Sequence, residues 1–252
     1  MEPFVVVQLS DLHIGAVWEG GDPAGTLQAT IDRVARLSVR PDAVLLTGDL
    51  ADNAAEPEYA VARELVGQLR APVHALPGNH DDPELVRRAF ALPGEPGSPL
   101  QYSVDLGPLR LVLLDSTRRG ADAGELDGAQ LDWLDGELAS SPGRPTLVAL
   151  HHPPFALGIE VWDRIGLPAS ERAALDEIVR RHPQVRRLVA GHVHQVIVDD
   201  VGGRPALTVP STFRQARFDL RADAIELTDE PPGFAVHVLR DGALVSFVEE
   251  VG

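Results

Sequence analysis

The stretch VHALPGNHDDP, residues 73–83, contains an apolar strand, a tight turn and the start of a helix. Val73–Leu76 is short and apolar, and a Pro-Gly pair ends it. Pro83 is typical of the first turn of a helix, where its missing N–H is not needed. The pattern predicts a strand whose carboxyl end carries part of a functional site. The turn supplies three residue types that bind metals or move protons, namely Asn79, His80 and Asp81.

Four other apolar runs end in similar residues. In open α/β sheets ligands bind at the carboxyl ends of the strands, so we expect all five ends to converge at one edge. Taken singly, each end is an ordinary turn or strand exit. The five ends together hold six of the nine histidines, which favours one shared site. The four runs are Val5–Ser10 before Asp11 and His13, Val44–Thr47 before Gly48 and Asp49, Leu147–Leu150 before His151-His152-Pro153-Pro154, and Leu188–Ala190 before Gly191-His192-Val193-His194.

The rest of the chain alternates strands and helices at first and is mostly β at the end, which predicts one domain over residues 1–252. Ser211–Pro232 is polar and irregular, and we interpret it as a loop or short lid. Strands are predicted over Phe4–Leu9, Ala43–Thr47, Val73–Leu76, Tyr102–Leu106, Leu109–Leu114, Thr146–Leu150, Arg187–Ala190, Gln195–Asp199, Ala206–Val209, Ala235–Leu239 and Ala243–Val248. Helices are predicted around Leu27–Leu37 and over Glu58–Leu69, Pro83–Phe90, Ala129–Leu138 and Glu171–Arg181.

The composition excludes several classes of function. With no cysteine among 252 residues, the chain has no disulfide, thiolate metal site or cysteine nucleophile. All 22 basic residues are arginine, so it has no Schiff-base or P-loop lysine. The net charge of −16 argues against nucleic acid as a partner. No apolar run reaches ~18 residues and no basic stretch precedes Phe4–Val7, which predicts neither a membrane span nor a signal peptide, and a cytoplasmic location.

The five strand ends resemble the motifs of the calcineurin-like metallophosphoesterases. They are most similar to the branch of class III cyclic nucleotide phosphodiesterases and bacterial glycerophosphodiesterases. Two further segments fit that branch, Arg40-Pro41-Asp42-Ala43-Val44 before Gly48-Asp49 and His80-Asp81-Asp82 after Gly78-Asn79. The resemblance covers about residues 4–210. It implies an α/β fold, a four-layer α/β/β/α sandwich of two mixed β-sheets flanked by helices, with two metals at its upper edge.

The resemblance also implies which residues hold the two divalent ions. Asp49 would bridge them, His80 would face the substrate instead of a metal, and His152 would support the site without binding an ion. The first ion would be held by Asp11, His13, Asp49 and His194, and the second by Asp49, Asn79, His151 and His192.

The residue types agree with that assignment on chemical grounds. Imidazole, carboxylate and amide oxygen suit Mn, Fe, Zn or Co. Two such ions ~3.5–4 Å apart clamp the attacking and leaving oxygens of an in-line displacement and lower the pKa of a bound water. His80 can stabilise the pentacoordinate phosphorane or protonate the leaving alkoxide. For Asp81 two interpretations stay open, an orienting contact with His80 or a cap on the helix that begins near Pro83.

We therefore predict a dinuclear hydrolase of small phosphodiesters such as cyclic nucleotides and glycerophosphodiesters, with no nucleic acid or membrane partner, and a dimer. The alternatives are a phosphomonoesterase, a nuclease of the same superfamily that the charge disfavours, and a non-catalytic metal-binding module. Ser211–Pro232 is shorter than the cap of the glycerophosphodiesterases, which predicts an open pocket. Contact with substrate stays open for five arginines, Arg118, Arg119, Arg214, Arg217 and Arg221.

Overall fold

The computed structural model describes residues 2–252 apart from the side chain of Glu19, so the predicted domain 1–252 starts one residue outside them. The strands of the described residues are β1 Phe4–Leu9, β2 Ala43–Thr47, β3 Val73–Leu76, β4 Tyr102–Leu106, β5 Leu109–Leu113, β6 Thr146–Ala149, β7 Val185–Ala190, β8 Val198–Val201, β9 Arg204–Thr208, β10 Gln215–Ala216, β11 Leu227–Thr228, β12 Gly233–Arg240 and β13 Ala243–Glu250. The helices are α1 Pro23–Ala35, α2 Glu56–Gly67, α3 Pro83–Phe90, α4 Gly128–Ala139, α5 Glu160–Ile165 and α6 Ala169–Arg181.

Two mixed β-sheets form the centre of the molecule. The first has the strand order β13-β12-β1-β2-β3, in which β1, β2 and β3 are parallel and β12 and β13 are antiparallel to their neighbours. The second has the order β4-β5-β6-β7-β9-β8, with a parallel centre from β5 to β9 and an antiparallel strand at each edge. Parallel centres place the carboxyl ends of successive strands on one edge, where a site can form.

Alternating side chains of the second sheet divide the core into two layers. On β6, Leu147 and Ala149 belong to the core shared with the first sheet and with α1, α2 and α3. Val148 and Leu150 point the other way, into the core that α4 and α6 cover. Such alternation is what a strand buried on both faces requires. The predicted fold, two mixed sheets flanked by helices in four layers, is therefore confirmed.

The structure adds to or shifts the predicted elements at three places. Glu160–Ile165 forms α5, which the sequence pattern missed because six residues are too few to establish a helical period. Part of Ser211–Pro232 is ordered as the two-stranded β10–β11 pair, whose two-residue strands carry no alternation to detect. Val198–Val201 is the first strand of the following hairpin, three residues later than predicted.

No helix among residues 2–252 has the length and apolar character needed to cross a bilayer.

A buried polar chain runs across three neighbouring strands of the first sheet. His237 on β12 donates from Nε2 to Oε1 of Gln8 on β1 at 2.9 Å, and its Nδ1 accepts from Ser246 at 2.6 Å. Gln8 in turn donates to Thr47 on β2 at 2.9 Å. Burial lowers the pKa of His237 to about 3, and the charge of Arg187 adds to the effect. The imidazole is therefore neutral in the folded chain near neutral pH.

We expect His237 to make the fold sensitive to acid. Its folded pKa lies below the unfolded value of 6.5, so its contribution is complete above that value and is lost as the pH falls toward 3. Between about pH 7.5 and about pH 5 the wild-type free energy of unfolding should fall by about 2 kcal/mol more than that of His237→Gln. Urea unfolding at both pH values measures this difference, and equal losses in the two proteins would contradict it.

Candidate metal centre

The carboxyl ends of five strands meet at one edge of the sheets, as the sequence predicts. These strands are β1, β2, β3, β6 and β7. The backbone N–H of Asp11 donates to the carbonyl of Gly48 at 3.0 Å, and that of Gly191 donates to the carbonyl of His151 at 3.0 Å. Gly78 packs against Asp49 so closely that a Cβ would lie 2.2 Å from its Oδ1. The glycine is needed for this close approach of two loops.

Five of the seven predicted ligands have a left-handed backbone. The φ angles are 53° at Asp11, 46° at His13, 50° at Asp49, 72° at His192 and 49° at His194. Non-glycine residues avoid this region, and each such residue costs about 1–3 kcal/mol. The surrounding fold therefore holds these residues in strained conformations that turn their side chains toward one another.

The first group of donor atoms comes from the β1 and β7 ends. Nε2 of His13 lies 3.1 Å from Nε2 of His194, and Nε2 of His194 lies 3.6 Å from Oδ1 of Asp11. Oδ2 of Asp49 lies 3.7 Å from Nε2 of His13. Asp11, His13 and His194 each offer a ligand atom within 4.8 Å of the others. This is a spacing that one metal ion can span.

The second group adjoins the first through Asp49. Nε2 of His151 lies 3.4 Å from Oδ2 of Asp49 and 3.1 Å from Oδ1 of Asn79. Nδ1 of His192 lies 3.0 Å from the same oxygen of Asn79. The two groups thus have Asp49 in common, at the position where the sequence predicts a bridging ligand.

Contacts behind the imidazoles fix their orientation. His151 donates from Nδ1 to the carbonyl of Thr47 at 2.8 Å, and His194 donates from Nδ1 to the carbonyl of Arg214 at 2.7 Å. Nδ1 of His13 is held by Oδ1 of Asp52 at 3.1 Å. These contacts turn Nε2 of each ring inward, toward the other donor atoms, as a metal ligand must be.

The donor set fits divalent metal ions. Buried histidine nitrogens and carboxylate oxygens face one another at contact distance, which is the arrangement for a shared cation. Burial on its own raises the pKa of Asp49, but the charges of His151, His13 and His80 outweigh it and hold that pKa well below its usual range. The carboxylate is therefore negatively charged and ready to bind. The His and Asp clusters of this edge can thus hold metal ions.

His80 lies at the edge of the cluster and contacts Asp52, which sequence reasoning missed. Nδ1 of His80 donates to the carbonyl of Asp52 at 3.2 Å and lies 3.5 Å from its Oδ1. Burial lowers the pKa of His80, but Asp49 and Asp52 outweigh it and the net shift is upward. The only signal for Asp52 in the sequence is its position three residues after Asp49. Both residues lie in a loop, where spacing along the chain does not predict which side chains meet.

Asp81 takes neither of its two predicted roles. Its carboxylate accepts hydrogen bonds from the backbone N–H groups of Leu50, Ala51 and Gly78 at 2.9–3.1 Å. The helix cap is Asp82, which accepts from the N–H groups of residues 84 and 85. Asp81 instead fastens the β3 loop to the β2 loop, and Asp52 occupies the orienting position beside His80.

Both ring nitrogens of His152 have hydrogen-bond partners, although one of them lies within 4.8 Å of ligand atoms of His151 and His192. Its Nδ1 lies 2.9 Å from the hydroxyl of Ser116, and its Nε2 donates to the carbonyl of Asp122 at 3.1 Å. Burial, and then the charge of His151, lower the pKa of His152 to about 3. Its ring centroid nevertheless lies 4.6 Å from that of His192. Its supporting role stays a prediction that these contacts favour.

A cavity of about 330 Å³ opens over the donor atoms. No arginine lines it among the described residues. Arg217 pairs with Glu226 at 3.4 Å on the exposed surface, and Arg214 pairs with Asp229 at 2.5 Å beside the cavity. The lining is formed by His13, Trp18, Asp49, Asn79, His80, Asp122, Trp162, Ile165, His192, His194, Ile225 and Leu227.

The contacts of Asp52 predict an effect on metal binding. Because Asp52 holds Nδ1 of His13, we expect Asp52→Ala to weaken one metal ion about 10–100-fold. Asp52→Asn keeps an acceptor oxygen and should restore most of the loss. Calorimetric titration of metal into the apoprotein measures both, with Asn53→Ala as the neighbouring control. Unchanged affinity in Asp52→Ala would contradict the orienting role.

The fold and the clustered donors together define a metal-dependent hydrolase of the α/β sandwich class. The chain belongs to the calcineurin-like phosphoesterase family, whose model matches residues 4–196. The resemblance noted in the sequence is thereby confirmed.

Curated relatives support the same branch. The chain is 34% identical over 240 residues to a probable glycerophosphodiester phosphodiesterase, GpdQ, of Arcobacter nitrofigilis, covering 92% of this chain and 88% of the relative. It is 38% identical over 215 residues to the 3',5'-cyclic adenosine monophosphate phosphodiesterase CpdA of Pseudomonas aeruginosa, covering 84% and 77%. A dimetal phosphatase from Danio rerio shares the fold over the full length of both chains, with a TM-score of 0.67 at 16% identity.

Proposed function

We propose that this chain hydrolyses small phosphodiesters at a pair of divalent metal ions. The observation that carries the proposal is the convergence of seven donor residues in two groups that share Asp49. Asp11, His13 and His194 complete the first ion's site. The second ion's site is completed by Asn79, His151 and His192.

The ions, when bound, supply an activated water nucleophile and neutralise charge on the phosphate. Asp49 would offset the repulsion between two bound dications, since its carboxylate lies 3.7 Å from His13 and 3.4 Å from His151. His80 lies at the mouth of the cluster, and Asp52 holds its Nδ1 so that Nε2 is left for the substrate. A protonated Nε2 donates to the leaving alkoxide or to a phosphoryl oxygen.

The lining of the cavity favours diesters over monoesters. A monoester dianion usually calls for further cationic side chains beside the metals, and the described lining contains no arginine. Trp18 and Trp162 stand on either side of the donor atoms, contacting His13 and His192 respectively, so organic groups find apolar walls in two directions. A diester, with two organic arms and one negative charge, matches this cavity.

A non-catalytic metal-binding module is the alternative from another class. Such a module has no need of His80. The imidazole of His80 lines the cavity and is held by Asp52. Its presence beside a complete donor set supports an enzyme. A cytoplasmic location and a dimer stay predictions of the sequence.

Kinetics on paired esters test the proposal. With the same metal and pH, we expect bis(4-nitrophenyl) phosphate to be cleaved with a higher kcat/KM than 4-nitrophenyl phosphate. Manganese reconstitution and elemental analysis should accompany the assay, with close to two ions per chain expected. A monoester preference of about tenfold or more would replace the diesterase assignment with the phosphatase alternative. Absence of hydrolysis by the metal-loaded protein would favour the binding module.

A further inference from the structure

The strand β13 forms one edge of the first sheet and leaves an apolar surface uncovered. It is eight residues long and pairs with β12 on one side only. Val245 and Phe247 point to the same face, since side chains alternate along a strand, and they are 50% and 52% exposed. The residues opposite them on β12, Val238 and Val236, belong to the core. β13 therefore extends an apolar layer beyond the part of it that is buried.

The outer main-chain groups of β13 are available to a further strand. Asp241 and Gly242 form a two-residue turn with φ angles of 51° and 80°, which makes Arg240 and Ala243 a hydrogen-bonded pair. Hydrogen-bonded and non-hydrogen-bonded pairs alternate along an antiparallel ladder, so every second residue directs its N–H group away from β12. Within the described residues, none of these N–H groups donates to a backbone carbonyl outside the hairpin. The residues are Leu244, Ser246, Val248 and Glu250.

The other three sheet edges have features that discourage pairing with another strand. β3 has only four residues, and both the N–H and the carbonyl of Ala75 are bonded to the hydroxyl of Tyr102 at 3.1 Å. β8 carries the exposed pair Asp199-Asp200, and β4 carries the exposed Asp105. Short length and charged side chains are the usual protection of an edge strand. β13 is long and has no charge over Leu244–Val248, so its edge is open to association.

We propose that β13 pairs with β13 of a second copy of this chain, antiparallel to it, about a two-fold axis at Phe247. The inference does not rest on the proposed function. Opposite residues of paired strands share a face, so Phe247 lies opposite Phe247 of the second copy, and Ser246 lies opposite Val248. Leu244 then lies opposite Glu250, and all four outward residues of each strand find partners. The first sheets of the two copies become one continuous sheet.

The charges of β13 suit a second copy of the same chain. Glu249 is neutralised by Nη2 of Arg33 at 2.6 Å, and Glu250, the other acidic residue of the strand, lies at its end and away from the axis. The carbonyl of Leu244 accepts from Arg187 at 3.2 Å and can accept a second hydrogen bond. Chains that each carry a net charge of −16 can therefore meet here, at an uncharged centre. Because a two-fold interface places the same patch on both sides, this self-complementary strand favours its own copy over an unrelated strand.

Sedimentation velocity measures the association. A pair of edge strands is a small interface, so we expect the wild type to dimerise with a Kd of about 1–10 µM. Phe247→Asp places two like charges opposite each other at the axis and should raise the Kd about 30-fold or more. Val198→Asp is the matched control, because Val198 is 69% exposed on the edge strand β8, and its Kd should equal that of the wild type. Thermal melting checks that both variants are folded.

Cross-linking tests the register, because the chain has no cysteine of its own. Opposite residues of a non-hydrogen-bonded pair have Cα atoms about 4.5 Å apart, a distance that a disulfide can span. After mild oxidation, Phe247→Cys should therefore run as a covalent dimer on a non-reducing gel. Val198→Cys, on the edge strand β8, should run as a monomer.

Three results would overturn the inference. A wild type that is monomeric at about 100 µM would show that a second copy does not cover β13. The same Kd in Phe247→Asp and Val198→Asp, or equal cross-linking of the two cysteine variants, would show that the copies meet at another surface. Both measurements use the folded chain without any substrate, so their outcome is separate from that of the ester kinetics.

Discussion

Replacing Asp49 with alanine is expected to remove both metal ions and, with them, nearly all hydrolysis. Asp49 is the residue that the two donor groups share, since its Oδ2 lies 3.7 Å from Nε2 of His13 and 3.4 Å from Nε2 of His151. Its Oδ1 also accepts the backbone N–H of His80 at 2.9 Å. Loss of the carboxylate therefore removes a ligand from each ion, the charge between the ions and an anchor for the β3 loop.

Elemental analysis after gel filtration measures the effect of Asp49→Ala. We expect close to two ions per chain in the wild type and far less than one in the variant. Asp200→Ala removes a carboxylate from the exposed strand β8 and serves as the control, with two ions expected. Two tightly bound ions in Asp49→Ala would show that Asp49 is not the bridge.

His80→Ala is expected to keep both ions and to lose ~10²–10⁴ in kcat, the usual contribution of a proton donor in the transition state. The contacts of His80 explain the separation. Its ring is held by Asp52 at the mouth of the site, outside the contacts that join Asn79 to His151 and His192. His80 also offers a ring nitrogen within 4.8 Å of ligand atoms of His13 and Asp49, so retention of both ions in the variant is the result that assigns His80 to the substrate.

The leaving group decides which role His80 has. If His80 protonates the leaving alkoxide, the loss should shrink for nitrophenyl esters, whose leaving group needs no proton, and remain large for alkyl esters. An equal loss for both kinds of ester would assign His80 to stabilisation of the phosphorane. Loss of a metal ion from His80→Ala would instead mean that His80 is a ligand and that its assignment is wrong.

The sequence signal for the predicted donor residues is local. An apolar strand followed directly by Asp11 or His151 can be recognised within six residues. Parallel strands place their carboxyl ends at one edge of the sheet, and this does not depend on the helices between them. The role of Gly78 can also be predicted, because a glycine in a motif indicates a place where two backbone segments lie close together. The predicted donor residues accordingly lie together.

The contacts that orient the donors could not be predicted. Asp52 meets His80 across 28 positions, and the carbonyl of Arg214 meets His194 across 20. Backbone carbonyls such as that of Thr47 carry no sequence signature at all. Asp81 and Asp82 show why such contacts cannot be predicted. The two residues are identical and adjacent, but Asp81 accepts hydrogen bonds from the β2 loop whereas Asp82 caps α3.

Trp162 was missed for a different reason. It lies on α5, a helix of six residues between irregular segments, and nothing in its neighbourhood marks it as part of the site. Its approach to His192, at 5.8 Å between ring centroids, follows from the packing of α5 against the loop after β7. Walls of a cavity depend on tertiary packing, whereas donor atoms of a metal site depend on residue type.

The left-handed backbone at five donor residues sets stability against activity in this family member. At each of these positions glycine would relieve the backbone strain but remove a metal ligand. Such a substitution would therefore raise the free energy of unfolding of the metal-free protein and abolish its metal binding. Laboratory evolution for heat resistance alone, with no requirement for turnover, would be drawn to these positions first. Engineers who want a robust catalyst should therefore hold them fixed and look for stability elsewhere in the sandwich.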